Sequence, residues 1–161
     1  MTHEELEKAY RAALDEAARQ LSYRDLSAQT LREKLVKKGH SGDAADYAIA
    51  YLQARRLLDD SRFADTAVRS YERRGYGEHR IRQELHRRGV SREDADAALE
   101  DFSPDPDTLR ALLDKKLKGD ASDPKAVQRA IAFLQRRGFS WGDIRQALKD
   151  YGTAIDEQLD G

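Results

Sequence analysis

Apolar residues along this chain recur at helical steps and stop at glycines. In the stretch 77–102, GEHRIRQELHRRGVSREDADAALEDF, the small residue Gly77 is followed by Ile81, Leu85 and Gly89 at steps of four, then by Leu99 and Phe102. Ile81 and Leu85 lie one turn apart on one helix face. The skeleton stands fifty positions earlier as Ser27, Leu31, Leu35, Gly39, Ile49 and Leu52. It returns forty-nine positions later as Ala126, Ala130, Leu134, Gly138, Leu148 and Tyr151. A serine follows each glycine by two (Ser41, Ser91, Ser140). A period near fifty residues marks stacked supersecondary units.

Each copy predicts a helix, a tight turn and a second helix. The glycine falls where a helix ends in a left-handed residue. Val90 and Phe139 are apolar just after it and can fold back on the helix end, whereas the first copy has His40. The serine then caps the next helix. Asp94 and Asp143 sit at its third position, against the positive end of the helix dipole. The result is a helix-turn-helix-like corner, which the sequence alone does not place on DNA.

A lead helix precedes each corner. Leu6, Tyr10, Ala13, Leu14, Ala17 and Leu21 predict a long first helix from Glu4 to about Tyr23. Leu57-Leu58-Asp59-Asp60 reads as a turn, with Asp60 or Ser61 capping a helix from Arg62 to Arg74 whose inward face carries Phe63, Ala67, Val68 and Tyr71. Gly75-Tyr76-Gly77 breaks that helix. Ser103-Pro104-Asp105-Pro106-Asp107 reads as a linker, since two prolines argue against a helix there. A third lead helix is expected from about Thr108 to Leu117, ended by Lys118-Gly119-Asp120. Asp123-Pro124 then opens the third corner as a cap followed by proline. Three periods make about nine helices, and no stretch alternates with a two-residue period, so the fold class is all-α. The expected domains are a first three-helix repeat over 1–58, a second over 59–103, a third over 104–153, and a frayed acidic tail over 154–161.

Composition narrows the class. Charged residues are 37 % and hydrophobic residues 39 %, a balance that suits a helical repeat with much surface per residue. There is no cysteine, which excludes disulfides and thiolate metal sites. No apolar run approaches membrane-spanning length and MTHEELEKAY is not a secretory signal, so a cytoplasmic monomer is the expectation. The net charge of −1 hides a local asymmetry. From Arg62 to Arg92 nine arginines face four acids, whereas Glu93 to Asp107 holds seven acids and no lysine or arginine. Charge distribution, and not net charge, bears on partners here.

The ordered set of motifs resembles the RecX family, bacterial regulators of the RecA recombinase. The strongest stretch is LDDSRFADTAVRSYERRGYGEHRIRQELHRRGV, Leu58 to Val90, with its LDD-x-RFA opening, VRS run, glycine break, RI-x-x-EL and basic-basic-Gly turn. Arg24, Ser27, Leu31, Lys34, Leu35, Lys38 and Gly39 are similar to the family's first repeat. Phe133-Leu134, Arg136 to Ser140 and Ile144 are similar to its third. The resemblance spans about residues 20 to 150. It implies an elongated, curved array of three tandem three-helix repeats. It also implies a non-enzymatic protein, without cofactor, that binds RecA, free or as a filament on DNA, and restrains its ATP hydrolysis and strand exchange.

Candidate contacts come from the cations. Lys37-Lys38, Arg87-Arg88 and Arg136-Arg137 precede the three turn glycines. One cation in a last helical turn complements the dipole, but two in every copy is more than that requires. Arg80 and Arg87 are seven apart on a stripe away from Ile81 and Leu85, Arg129 and Arg136 repeat it, and Thr30 and Lys37 take those places in the first copy. Arg69, Arg73 and Arg74 extend the charge on the preceding helix. Such a stripe forms a partner or nucleic-acid surface, set against a solvated face that serves the helix ends. Tyr71, Tyr76 and Trp141 could stack on bases, Tyr71 being better placed for the core. Asp59-Asp60 reads as capping and not as a metal or acid-base pair. His79 and His86 lack the spacing of metal ligands, and no P-loop, dinucleotide fingerprint, nucleophile elbow or zincin pattern occurs. A RecA-directed regulator, a helix-turn-helix-like protein acting directly on DNA and a generic helical scaffold remain the alternatives.

Overall fold

The computed structural model describes residues 1–152; the tail expected to fray, 154–161, lies outside the described residues. Among the described residues there are nine helices and no strand: α1 (His3–Tyr23), α2 (Ala28–Lys37), α3 (Gly42–Ala54), α4 (Asp60–Arg73), α5 (Glu78–Arg87), α6 (Arg92–Leu99), α7 (Pro106–Leu117), α8 (Pro124–Arg136) and α9 (Trp141–Asp150). They form three tandem three-helix repeats, each a lead helix and a two-helix corner.

The three corners close in the same way. At each turn the glycine takes a left-handed conformation, with φ of +100° at Gly39, +77° at Gly89 and +95° at Gly138. The N–H of the residue after the glycine then reaches back to a leucine carbonyl: His40 to Leu35 at 3.1 Å, Val90 to Leu85 at 3.0 Å and Phe139 to Leu134 at 3.1 Å. The glycine N–H bonds to Val36, His86 or Gln135. This paired closure satisfies carbonyls that the helix end leaves free. Ser41, Ser91 and Ser140 each accept from the N–H three residues on, at 3.1, 3.1 and 3.2 Å, and cap the second helix.

Two helix starts differ from the sequence expectation. The cap of α4 is Asp59, not Asp60 or Ser61: its Oδ1 accepts from the Ser61 and Arg62 N–H groups. Asp60 turns instead to the start of α2, where its Oδ1 accepts from Ala28 N at 2.8 Å. Burial there raises its pKa, and the Ala28 bond opposes the rise. The stretch 103–107 is not linker throughout. Asp105 caps α7 through the Asp107 N–H, and Pro106 is the first helical residue. Its missing N–H costs nothing there, so Asp105-Pro106 works as Asp123-Pro124 does at α8.

The chain separates into two compact units whose boundary falls inside the second repeat: 1–66 with 85–98, and 67–84 with the chain from 99 on. In the first unit, Ala13 and Ala17 of α1 and Ala44, Ala45 and Ala48 of α3 share a core with Leu31, Leu35 and Leu52. Small side chains let helices approach closely. In the second unit, Leu109, Leu112, Leu113 and Leu117 of α7 pack with Val127, Ile131 and Leu134 of α8 and Ile144 and Leu148 of α9. Tyr151 ties this bundle together. Its hydroxyl donates to Asp114 at 2.7 Å and accepts from Gly119 N at 2.8 Å. The Asp114 bond is the main cause that raises the Tyr151 pKa.

Each unit contains one junction between a turn and the helix start of the preceding repeat. In the first, the buried Ser27 hydroxyl donates to the carbonyl of Arg88 at 2.6 Å. A Cβ on Gly89 would lie 2.5 Å from Gln29 Cδ and 2.6 Å from its Cβ. In the second, Gly77 N donates to the Arg137 carbonyl at 2.8 Å and His79 N to the Gly138 carbonyl at 3.0 Å. A Cβ on Gly138 would meet the Arg80 backbone, its Cα at 2.9 Å, and one on Gly77 would meet the backbone of Gly138 and Phe139. Ser27 and Gly77 hold the same place in the repeat, which explains the small residue at the head of the skeleton.

Gly39 is the internal control: a Cβ there would meet nothing within 4 Å. Gly39→Ala is expected to cost about 1 kcal/mol, from its backbone conformation alone. Gly138→Ala adds a collision with backbone that cannot rotate away, and its cost should rise to about 2–4 kcal/mol. Urea unfolding of the two variants checks this; equal midpoints would show that close approach contributes nothing.

Candidate partner-binding surface

The structure sorts the eleven candidate cations by what their side chains touch. Arg69, Arg73 and Arg74 lie exposed along the last turns of α4. Arg87 at the end of α5, Arg129 and Arg136 on α8, and Lys37 and Lys38 around the first turn are exposed as well. Arg88 is half-buried, its carbonyl taken by Ser27.

Arg137 turns inward. Its Nε donates to the Gly75 carbonyl at 3.0 Å and its terminal nitrogen to the Arg74 carbonyl at 2.7 Å. These carbonyls lie at the end of α4, where the helix leaves acceptors unpaired. The guanidinium also lies over the rings of Tyr76 and Phe133, at 5.3 and 5.4 Å from their centroids. Arg137 thus holds the third-repeat turn against the second repeat's glycine break.

Arg80 differs from the solvated stripe position that helical spacing suggests. It is half-buried, with its guanidinium carbon 5.1 Å from the Tyr76 centroid and its Nε 3.4 Å from Glu84 Oε1. That approach lacks hydrogen-bond alignment, and the buried Nε makes no hydrogen bond. Glu84 is itself buried at 9 % exposure, so it is not the surface partner its helical spacing implies, whereas Glu78 pairs with Arg82 at 3.6 Å. Tyr76, a candidate for stacking on bases, is already covered by Arg80 and Arg137. Tyr71 is buried and Trp141 is 42 % exposed at the start of α9.

Lys38 is paired within its own repeat. Its Nζ lies 2.8 Å from Glu16 Oε1, and Arg19 grips the same carboxylate through two nitrogens at 2.7 and 2.8 Å. Arg19 first and Lys38 second hold the Glu16 pKa down at about 2.

The second helices of the corners lack a cationic surplus. In α3 the charged residues are Asp43 and Asp46, and in α6 Arg92 stands against Glu93, Asp94 and Asp96. In a DNA-reading helix-turn-helix, that helix enters the major groove and faces phosphates on both sides. In α9 Arg145 and Lys149 are matched by Asp143 and Asp150, so the surplus of cations sits on the first corner helices and the turns. Lys116 of α7, whose Nζ lies 4.6 Å from the Phe133 centroid, joins this set although the repeat register does not single it out. Its only sequence signal is the Lys115-Lys116 pair in the last turn of α7.

Fold and surface together define a helical tandem-repeat protein that displays cations on its first corner helices and turns. Three family models match it in order: the first three-helix domain of RecX over 13–52, the second over 59–99 and the third over 105–148. The chain belongs to the RecX family. It is 36 % identical over 142 residues to a regulatory protein RecX of Vibrio vulnificus, covering 84 % of this chain and 90 % of that one. A regulatory protein RecX of Halorhodospira halophila is 37 % identical over 151 residues, covering 92 % and 91 %. The crystal structure of RecX from Lactobacillus salivarius shares the fold, with a TM-score of 0.80 at 19 % identity over 89 % of this chain and 97 % of that one. A second RecX crystal structure gives 0.78 at 24 % identity, covering 88 % and 73 %. The role these relatives support is regulatory.

The Glu16 cluster gives a pH test of the first repeat. Its carboxylate titrates at about 2 in the folded chain, against an ordinary 4.5. An acid with a depressed folded pKa stabilises the fold above its unfolded value and loses that contribution as pH falls through the folded one. Stability from this cluster should therefore be intact above about 4.5 and drain away toward about 2. A carbon-detected NMR titration should place the Glu16 midpoint near the lower value, and Lys38→Met should raise it. A midpoint unmoved by that change would show that Lys38 does not hold the carboxylate.

Proposed function

We propose that the chain is a non-enzymatic, cytoplasmic regulator that binds RecA, free or as a filament on DNA, and restrains its ATP hydrolysis and strand exchange. Membership of a family whose relatives are named regulatory proteins supports this reading. The observation that carries it to a surface is the exposed arginine face of α4, Arg69 and Arg73 one turn apart, with Arg74 beside them. A nucleoprotein filament is strongly anionic, and cations on rigid helices meet it without reference to base sequence. Acidic residues on α3 and α6 weigh against the alternative, a helix-turn-helix protein that reads DNA by inserting its second corner helix.

Arg69→Glu with Arg73→Glu tests the reading better than a pair containing Arg80, whose side chain packs inside the second unit. Losing two exposed contacts worth about 0.7 kcal/mol each should raise the concentration needed to inhibit DNA-dependent ATP hydrolysis by RecA about tenfold. The thermal unfolding curve should stay at its parental position. A folded double variant that inhibits at the parental concentration would remove α4 from the contact.

A further inference from the structure

We infer that the third repeat carries a binding site for the phosphodiester backbone of a nucleic acid, in a depression between α7 and α8. The depression holds about 200 Å³ and is lined by Lys116, Arg129, Ala132 and Arg136. Three of its four lining residues are cations and none is an acid. The whole of α8, PKAVQRAIAFLQR, contains no aspartate or glutamate.

The cations are held apart, with no ion pair among the described residues. Arg129 and Arg136 are two helical turns apart on α8, about 10 Å along the axis. Ala132 stands between them, and its short side chain leaves the floor open. Lys116 comes from the last turn of α7 and is steadied over the face of Phe133. Arg129 and Arg136 make no hydrogen bond or ion pair among the described residues. Elsewhere Arg19, Arg32, Lys38 and Arg82 each have an acid within 4.0 Å. Acids close to the depression in sequence are engaged: Asp114 by the Tyr151 hydroxyl, Asp120 by Ser122 and Asp123 by the Lys125 N–H.

Three cations with no ion pair among the described residues repel each other around one depression, and an anion there relieves the repulsion. Arginine forks favour phosphate or carboxylate oxygens. The spacing favours phosphate: one strand carries a charge about every 3.4 Å of helix axis, so the reach from Arg129 to Arg136 spans roughly three backbone steps. The three cations make a short track for a strand. It deepens the proposed regulation by giving the chain its own hold on the nucleic acid, but it can be tested without RecA.

The test uses the full chain and a fluorescein-labelled oligonucleotide, single-stranded in one arm and duplex in the other, with anisotropy read across a salt series. Lys116→Gln with Arg136→Gln should weaken binding at low salt and lower the slope of log affinity against log salt by about 1–2. Lys8→Gln with Arg11→Gln, on exposed positions of α1, should leave both unchanged. Ala132→Glu, which puts a carboxylate on the floor, should weaken binding at least as much as the double change. In the unmodified chain, the oligonucleotide should shift the NMR amide signals around Lys116, Arg129 and Arg136. A parental slope in the double variant overturns the inference, whatever happens to RecA inhibition. So does binding of poly-glutamate at the depression in preference to the oligonucleotide. A lost slope supports the site whether or not the chain restrains RecA, so the two readings can fail separately.

Discussion

A backbone carbonyl just before a turn glycine meets the helix start of the preceding repeat, and much of the architecture depends on that contact. It occurs twice, as Arg88 on Ser27 and as Arg137 on Gly77. A backbone carbonyl lies close to the chain axis, so the helix start that meets it carries only a small residue, whose short hydroxyl at Ser27 or bare N–H at Gly77 reaches the carbonyl. That demand puts serine or glycine at the head of the skeleton and glycine at the turn. Each junction lies within one unit, and the second repeat is divided between the two.

The junctions also decide how the cations are used. At the third turn one member of the basic pair, Arg137, reaches the second repeat's glycine break, where a helix has ended and carbonyls are unpaired. Arg137 satisfies two of them and shares Tyr76 with Arg80. At the first turn Gly39 is closely approached by nothing among the described residues, and Lys38 reaches Glu16 on its own lead helix. One position in the register therefore serves different ends, according to what lies against it. Arg69 and Arg73 on α4 and Arg129 and Arg136 on α8 lie exposed on outer faces.

Capping shows the same division. Ser41, Ser91 and Ser140 act on their own helices and are legible from spacing, because an N-cap bond is closed within four residues. Asp59 and Asp60 are adjacent and chemically alike, and local rules do not separate them. Asp59 caps its own helix while Asp60 crosses to Ala28, thirty-two residues away, and only the fold brings those atoms within 2.8 Å. The start of α7 is a different case. Asp105-Pro106 carries the same local signal as Asp123-Pro124, but two prolines so close together also signal a helix break, and Pro106 stands at the first helical position, where no N–H is needed.

The sequence by itself determined the helices, the three corners, the glycine conformations and the repeat, because each follows from interactions within one or two turns of chain. It also limited the functional chemistry to cations on a helical scaffold. Which cations face outward was decided by tertiary structure. Arg80 and Arg129 occupy the same register position, yet Arg80 packs against Tyr76 and Glu84 while Arg129 borders an open depression with Lys116. Helical periodicity says which side of its own helix a residue occupies. It does not say what the rest of the chain lays against that side, and a cation's partner is set by that neighbour.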